Sequence, residues 1–171
     1  MSSTKASHEN GLPVSELRTA ENMLVTVLRL WVEHSLGQDN KCRWRTGILS
    51  AGLTEDVSWA FDSAMLVTSI SLFRPIEIRG HGHMLISDDE LRILNAVDLL
   101  QQNSFVGAAY VLSRWLPPAA VREVLPMLHK LAIAMVHRGL KLPGRSHYEI
   151  FHRPADNQRG AVQGEASATI H

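Results

Sequence analysis

Two histidines separated by one glycine, in Gly80-His81-Gly82-His83, form the pattern in this chain best suited to chemistry. Imidazoles at i and i+2, with glycines on which the backbone can bend, can both reach one divalent ion such as zinc. Such a site needs a third ligand and usually a fourth. Cys42, His34, Asp62 and Glu77 are the side chains available for that role. His81, His83 and Cys42 are therefore the expected set for a Cys/His metal sensor. The spacing is not that of HExxH, whose histidines lie one helical turn apart. A His-Gly-His stretch serves equally well as a surface loop.

Cys42 is the only cysteine among 171 residues, so an internal disulfide and a Cys-rich zinc module are both excluded. Lys41 and Arg43 flank it, which makes it a candidate for redox sensitivity. The run Lys41-Cys42-Arg43-Trp44-Arg45 also interleaves cations with an indole. That composition can hold phosphates or an unstacked base. Alternatively, Trp44 covers the edge of the core while the cations stay in solvent, and so short a basic run favours this second reading. Asp62 lies midway along an apolar stretch, where a buried carboxylate would need a partner such as Arg45, Arg74 or Arg79. No second carboxylate accompanies it at the spacing of acid–base chemistry. G-x-S-x-G, the P-loop and the dinucleotide fingerprint are all missing, and no enzyme is expected.

The elements that must position these residues are helical. Leu17, Leu24, Val27, Leu28, Trp31 and Leu36 recur at helical spacing behind Ser15, with Met23 and Leu30 widening the stripe. A helix over 15–36 follows, ended by Gly37. Its broad apolar face predicts contact on more than one side. Residues 37–52 read as a connector. Thr54, with Glu55 and Asp56 after it, starts a second helix over 54–73. This helix is apolar almost all round and is expected to be the buried centre of a bundle. Pro75 stops it, Ile76-Glu77-Ile78-Arg79 alternates as an extended segment, and Ser87 with Glu90 forms a capping box for a third helix over 88–102. Helices over 105–116 and 118–138 complete the series, the last expected to kink or split at Pro126.

The segment from Leu91 to Val121 resembles the helix-turn-helix of winged-helix regulators of the LysR type. Leu91, Leu94 and Val97, then Ser104, Phe105, Ala108, Ala109 and Leu112, then Pro117 and Val121 occupy the matching places. The resemblance implies a DNA-binding transcriptional regulator. The chain departs from the pattern in a longer loop before Ser104 and in an apolar recognition segment, Ala119 to Leu128, where Arg122 is the one cation.

Composition bounds the rest. Lys and Arg number 17, as do Asp and Glu. A balanced charge exerts no global pull on nucleic acid or an anionic membrane, and it offers little repulsion between copies. Charged residues interrupt every apolar stretch before it could span a bilayer, and the polar start lacks the core of a signal peptide. A cytoplasmic location is expected. Together these features predict an all-α, single-domain bundle of five or six helices over 14–152. A flexible arm over 1–13 and a disordered tail over 153–171 flank it, with Tyr148, Ile150 and Phe151 anchoring a last segment. The expected function is that of a small non-enzymatic adaptor or regulator with a helical interaction surface, homodimeric, with no required cofactor. DNA binding and metal sensing are the alternatives.

Overall fold

The computed structural model describes residues 11–144. Within them the chain is all-helical and forms one bundle, as expected. Helices α1 (Thr19–Ser35), α2 (Arg43–Ser50), α3 (Glu55–Ser71), α4 (Asp88–Gln101), α5 (Phe105–Leu112) and α6 (Pro118–His137) follow a short 3-10 turn at Val14–Glu16. The described residues contain no strand, only an isolated bridge between Pro13 and Leu85. The expected anchors Tyr148, Ile150 and Phe151 lie outside the described residues.

Chain ends and caps follow local chemistry. Ser87 Oγ accepts the Glu90 N–H at 3.1 Å and the Glu90 carboxylate accepts the Ser87 N–H at 2.8 Å, closing the capping box of α4. Gly37 and Gly139, at φ +74° and +73°, stand one residue beyond the C-caps of α1 and α6. After Gly37, the Gln38 N–H reaches the Glu33 carbonyl; after Gly139, the Leu140 N–H reaches that of Met135. Both are Schellman endings, in which glycine tolerates the left-handed turn.

Four expectations need correction. Helix α1 starts at Thr19, because Ser15 falls in the 3-10 turn and the Arg18 N–H is taken by the Glu21 carboxylate at 2.8 Å. The connector over 37–52 contains a helix of its own. Helix α2 is eight residues long and its N-cap is Cys42 at φ +49°, so it carries no ordinary start signal; Trp44 and Ile48, one turn apart, are its only buried residues. Helix α6 runs unbroken through Pro126. The bond that Pro126 cannot donate belongs to the carbonyl of Arg122, and both residues are exposed, so water can satisfy it.

The fourth correction concerns which helix is covered. Leu30 and Trp31 of α1 are buried inside a single chain, so the wide stripe of α1 needs no second subunit. Helix α3 is covered on one side only. Val57, Phe61, Ala64 and Met65 are buried, and α6 is the helix on which α3 packs most extensively. On the opposite side Trp59, Leu66 and Ile70 stay in solvent, and Phe73 joins them just past the helix end. Among the described residues the bundle holds an apolar cavity of about 30 Å³, lined by residues such as Leu24, Phe61, Val97 and Leu128. That is room for roughly one water, with no titratable group to meet it.

Candidate functional site

The irregular segment 72–87 is positioned by the first turn of α4 and by α1. The α4 turn carries three successive acids, Asp88, Asp89 and Glu90, a placement that the helix dipole favours. Two of them face the irregular segment. Glu90 is fully buried and Arg29 of α1 is 2% exposed. Their contact is bidentate: Nε to Oε1 at 2.6 Å and Nη2 to Oε2 at 2.9 Å. The same guanidinium donates to the carbonyls of His83 at 2.7 Å and Leu85 at 2.8 Å. Glu90 also accepts the N–H groups of Ser87 and of Arg79, the latter at 3.2 Å. All four lone-pair directions of the carboxylate are thereby used.

Asp89 holds the beginning of the same segment. It accepts from Arg74 at 2.9 Å, the Glu77 N–H at 2.9 Å, the Trp115 indole N–H at 3.1 Å and Arg92 at 2.8 Å. Burial raises the Asp89 carboxyl, but Arg74 and the two N–H groups outweigh it and hold the pKa below the usual carboxylate range. Short pairing with the N-terminal side fixes the other end: Ile86 N–H donates to the Leu12 carbonyl and Val14 N–H to that of Met84, both at 2.8 Å.

Both histidines of the Gly80–His83 turn have partners. Glu33, in the last turn of α1, accepts the His81 backbone N–H at 2.9 Å and its Nδ1–H at 2.7 Å. Burial raises the Glu33 carboxyl; the His81 contacts and Arg43 more than offset this and lower it. His83 Nδ1 is engaged by the Leu85 backbone, 3.1 Å from its carbonyl and 3.2 Å from its N–H, and lies 3.5 Å from Arg79 Nη1.

Cys42 belongs to the next residue of α1. Its sulfur lies 3.6 Å from His34 Nε2, and His34 Nδ1 lies 2.5 Å from the Asp39 carbonyl. A carbonyl can only accept, so Nδ1 carries the proton and Nε2 is left to receive the S–H. The Asp39 carboxylate in turn accepts the backbone N–H groups of Lys41 and Arg43, both at 3.0 Å. The two stretches singled out in the sequence thus meet adjacent residues at the end of α1: His81 meets Glu33, and Cys42 meets His34. Among the described residues, no three His, Cys, Asp or Glu side chains converge in a way that would hold a metal. Zinc is accordingly expected to shift the thermal melting midpoint equally in the wild type and in the His81→Ala/His83→Ala variant. A zinc stabilisation confined to the wild type would restore the metal site at this turn.

The basic run is also occupied internally. Trp44 is buried against Phe61, with ring centroids 5.8 Å apart. Arg43 pairs with Glu33 and Asp39. Arg45 pairs with Glu55 and lies 4.7 Å above the Trp59 ring. Asp62 takes none of the three arginines considered for it; the Trp31 indole N–H donates to it at 2.7 Å. Sequence reasoning missed Arg29. A cation one turn after Val25, inside the apolar stripe of α1, was the available signal, since a buried charge requires a partner.

Among the described residues no helix is long and apolar enough to cross a membrane. Compared with protein-family models, with curated proteins and with solved structures, the chain finds no match.

Proposed function

We propose that the protein is a non-enzymatic adaptor or regulator that works through the outward face of α3, by docking an apolar helical surface of a protein. The observation that carries this reading is the line of Trp59, Leu66, Ile70 and Phe73, which are 58%, 51%, 84% and 63% exposed. Single exposed apolar residues are ordinary, but a continuous line of large ones marks an interaction surface. Aromatic anchors at its two ends suit the helix-in-groove mode of recognition. The polar groups of the 72–87 segment are largely spent on Asp89, Glu90, Glu33 and Arg29 of the flanking helices, which supports a positional role for them rather than a catalytic one. The helix-turn-helix alternative has less behind it. At the exposed start of α6, Arg122 stands beside Glu123, so no surplus of positive charge faces outward there for phosphates.

A photo-crosslinking amino acid at Ile70, in cells that express the full chain, is expected to give one discrete adduct. The same probe at the exposed Glu123 should give none. Identical smears, or no adduct at either position, would remove the docking reading. Leu66→Asp should change folding stability by no more than about 0.5 kcal/mol, because the side chain supports no core.

A further inference from the structure

The end of α6 faces the loop between α2 and α3 across a recess of about 310 Å³, open to solvent and lined by Gly52, Leu53, Thr54, Ala134, His137 and Arg138. Two small residues keep it open. Ala134, His137 and Arg138 are spaced i, i+3 and i+4, so they share one face of the last turns of α6, and Ala134 contributes only a methyl group. Opposite, Gly52 has φ +78°, a conformation that glycine tolerates, and no side chain. A Cβ at this position would lie 3.6 Å from Arg138 Nε and 3.7 Å from its Cζ. Any longer side chain there would cover the guanidinium. We propose that this recess binds the phosphate group of a small, soluble phosphate monoester. The site uses none of the residues on the outward face of α3 and stands or falls apart from the docking reading.

The donors around the recess are uncommitted. Among the described residues, neither the Arg138 guanidinium nor the His137 imidazole has a hydrogen-bonding or ionic partner, and both residues are exposed. Thr54 precedes α3, yet its hydroxyl makes no cap bond. Acidic neighbours do not cancel the charge. Glu55 pairs with Arg45, and Asp56 pairs with Lys130. The carboxylates that follow Thr54 are thus already neutralised within the chain, which leaves Arg138 as a cation with no counter-charge.

The mix of donors selects the ligand. A guanidinium presents a planar fork that takes two oxygens of a carboxylate or a phosphate. A carboxylate has no oxygen beyond those two. A phosphate monoester has a third terminal oxygen, free to accept from the Thr54 hydroxyl or the imidazole N–H. The volume lies at the small end of the range for ligand sites, about 300–1,000 Å³. Leu53 is 5% exposed and offers almost no apolar surface, so the remainder of the ester is short and hydrophilic. A lipid head group could supply the same phosphate, but anionic membranes hold proteins through clusters of about 4–8 cations. One guanidinium beside one imidazole is not such a cluster.

Isothermal titration calorimetry of the purified full chain with glycerol 3-phosphate should show a single site, and glycerol alone should give no heat. Arg138→Gln removes an exposed, unpaired cation, so it should leave the melting midpoint of the free protein unchanged. It should weaken binding at least about tenfold, the usual weight of a hydrogen bond to a charged group. Ala134→Leu retains the cation but fills the recess, and it should bind no ester while keeping the helical circular dichroism of the wild type. Arg122→Gln, at the other end of α6, should bind as the wild type does. Equal weakening in Arg122→Gln and Arg138→Gln would reduce the effect to general charge attraction and overturn the site, whether or not Ala134→Leu folds. Full binding by a folded Ala134→Leu would overturn it too. So would the absence of both heat and any rise in melting midpoint at about 10 mM ester. Vesicles of phosphatidylcholine and phosphatidic acid present the same monoester on a membrane. Co-sedimentation with them, without a response to glycerol 3-phosphate, would overturn the soluble ligand in favour of a lipid head group.

Discussion

Arg29→Ala is expected to remove about 3–5 kcal/mol of folding free energy, the usual effect of stripping one partner from a buried ion pair. For a single domain holding roughly 5–15 kcal/mol in all, this is a loss of about a fifth or more. The size follows from what is left behind. Glu90, fully buried, would be left with only the Ser87 and Arg79 backbone N–H groups to face it, and the carbonyls of His83 and Leu85 would each lose a donor. Urea unfolding followed by far-ultraviolet circular dichroism measures the loss directly. The companion variant Arg29→Met/Glu90→Gln leaves no buried charge and should recover part of it. A loss below about 1 kcal/mol in Arg29→Ala would mean that water reaches Glu90 and that the pair is not what holds the turn.

Asp89→Ala ranks next, at about 2–4 kcal/mol, because the buried Trp115 indole N–H and the Glu77 N–H are left without an acceptor. This loss should depend on pH in a defined sense. The Asp89 pKa is lowered in the folded chain: burial alone would raise it, and Arg74, Glu77 and Trp115 overcome that. A lowered carboxyl contributes fully above the unfolded value, near ~3.9, and its contribution disappears as pH falls through the folded value. Glu33 is lowered in the same direction by His81 and Arg43. Melting midpoints of wild type and Asp89→Ala should therefore differ most at neutral pH and converge in acid below ~4. A gap that stays constant down to the acid limit would assign the loss to packing around Trp115 instead of charge.

The helical skeleton was legible because its signals are local. Ser87 with Glu90, Thr54 with its two following acids, and glycines at 37 and 139 mark helix ends within four residues of chain, and a helix starts or ends at each of them, although the Thr54 side chain makes no cap bond. What escaped has non-local causes. Helix α2 lacks a capping side chain and starts from a left-handed Cys42, so its existence depends on Trp44 and Ile48 finding a core built elsewhere. Pro126 looked like a break because a sequence does not show whether the carbonyl it orphans will face water. The breadth of apolar character along α3 was visible, yet its meaning was not. An apolar surround is compatible with burial in one chain or with a face awaiting a second, and only the position of α6 decides between them. The chemistry-bearing residues were found as types and missed as sets. Cys42, His81 and His83 each contact α1, but through His34, Glu33 and the backbone carbonyl reached by Arg29.

The way segment 72–87 is held also sets the order in which the chain can fold. Its amide groups at Glu77, Arg79, His81 and Ser87 find acceptors on Asp89, Glu90 and Glu33, not on one another. Such a stretch has no nucleus of its own. Arg29 and Glu90 are 61 residues apart, so the loop between them must close before the turn gains anything from ordering, and that closure is entropically costly. The turn is thus expected to order late, after α1 has met α4, and variants at Glu77, Arg79 and His81 should show φ-values near zero. Interactions of that kind govern how slowly a folded chain opens and have little effect on how fast it forms. The polar cluster around Gly80–His83 is in this sense a latch on the finished bundle, and what it contributes is lifetime.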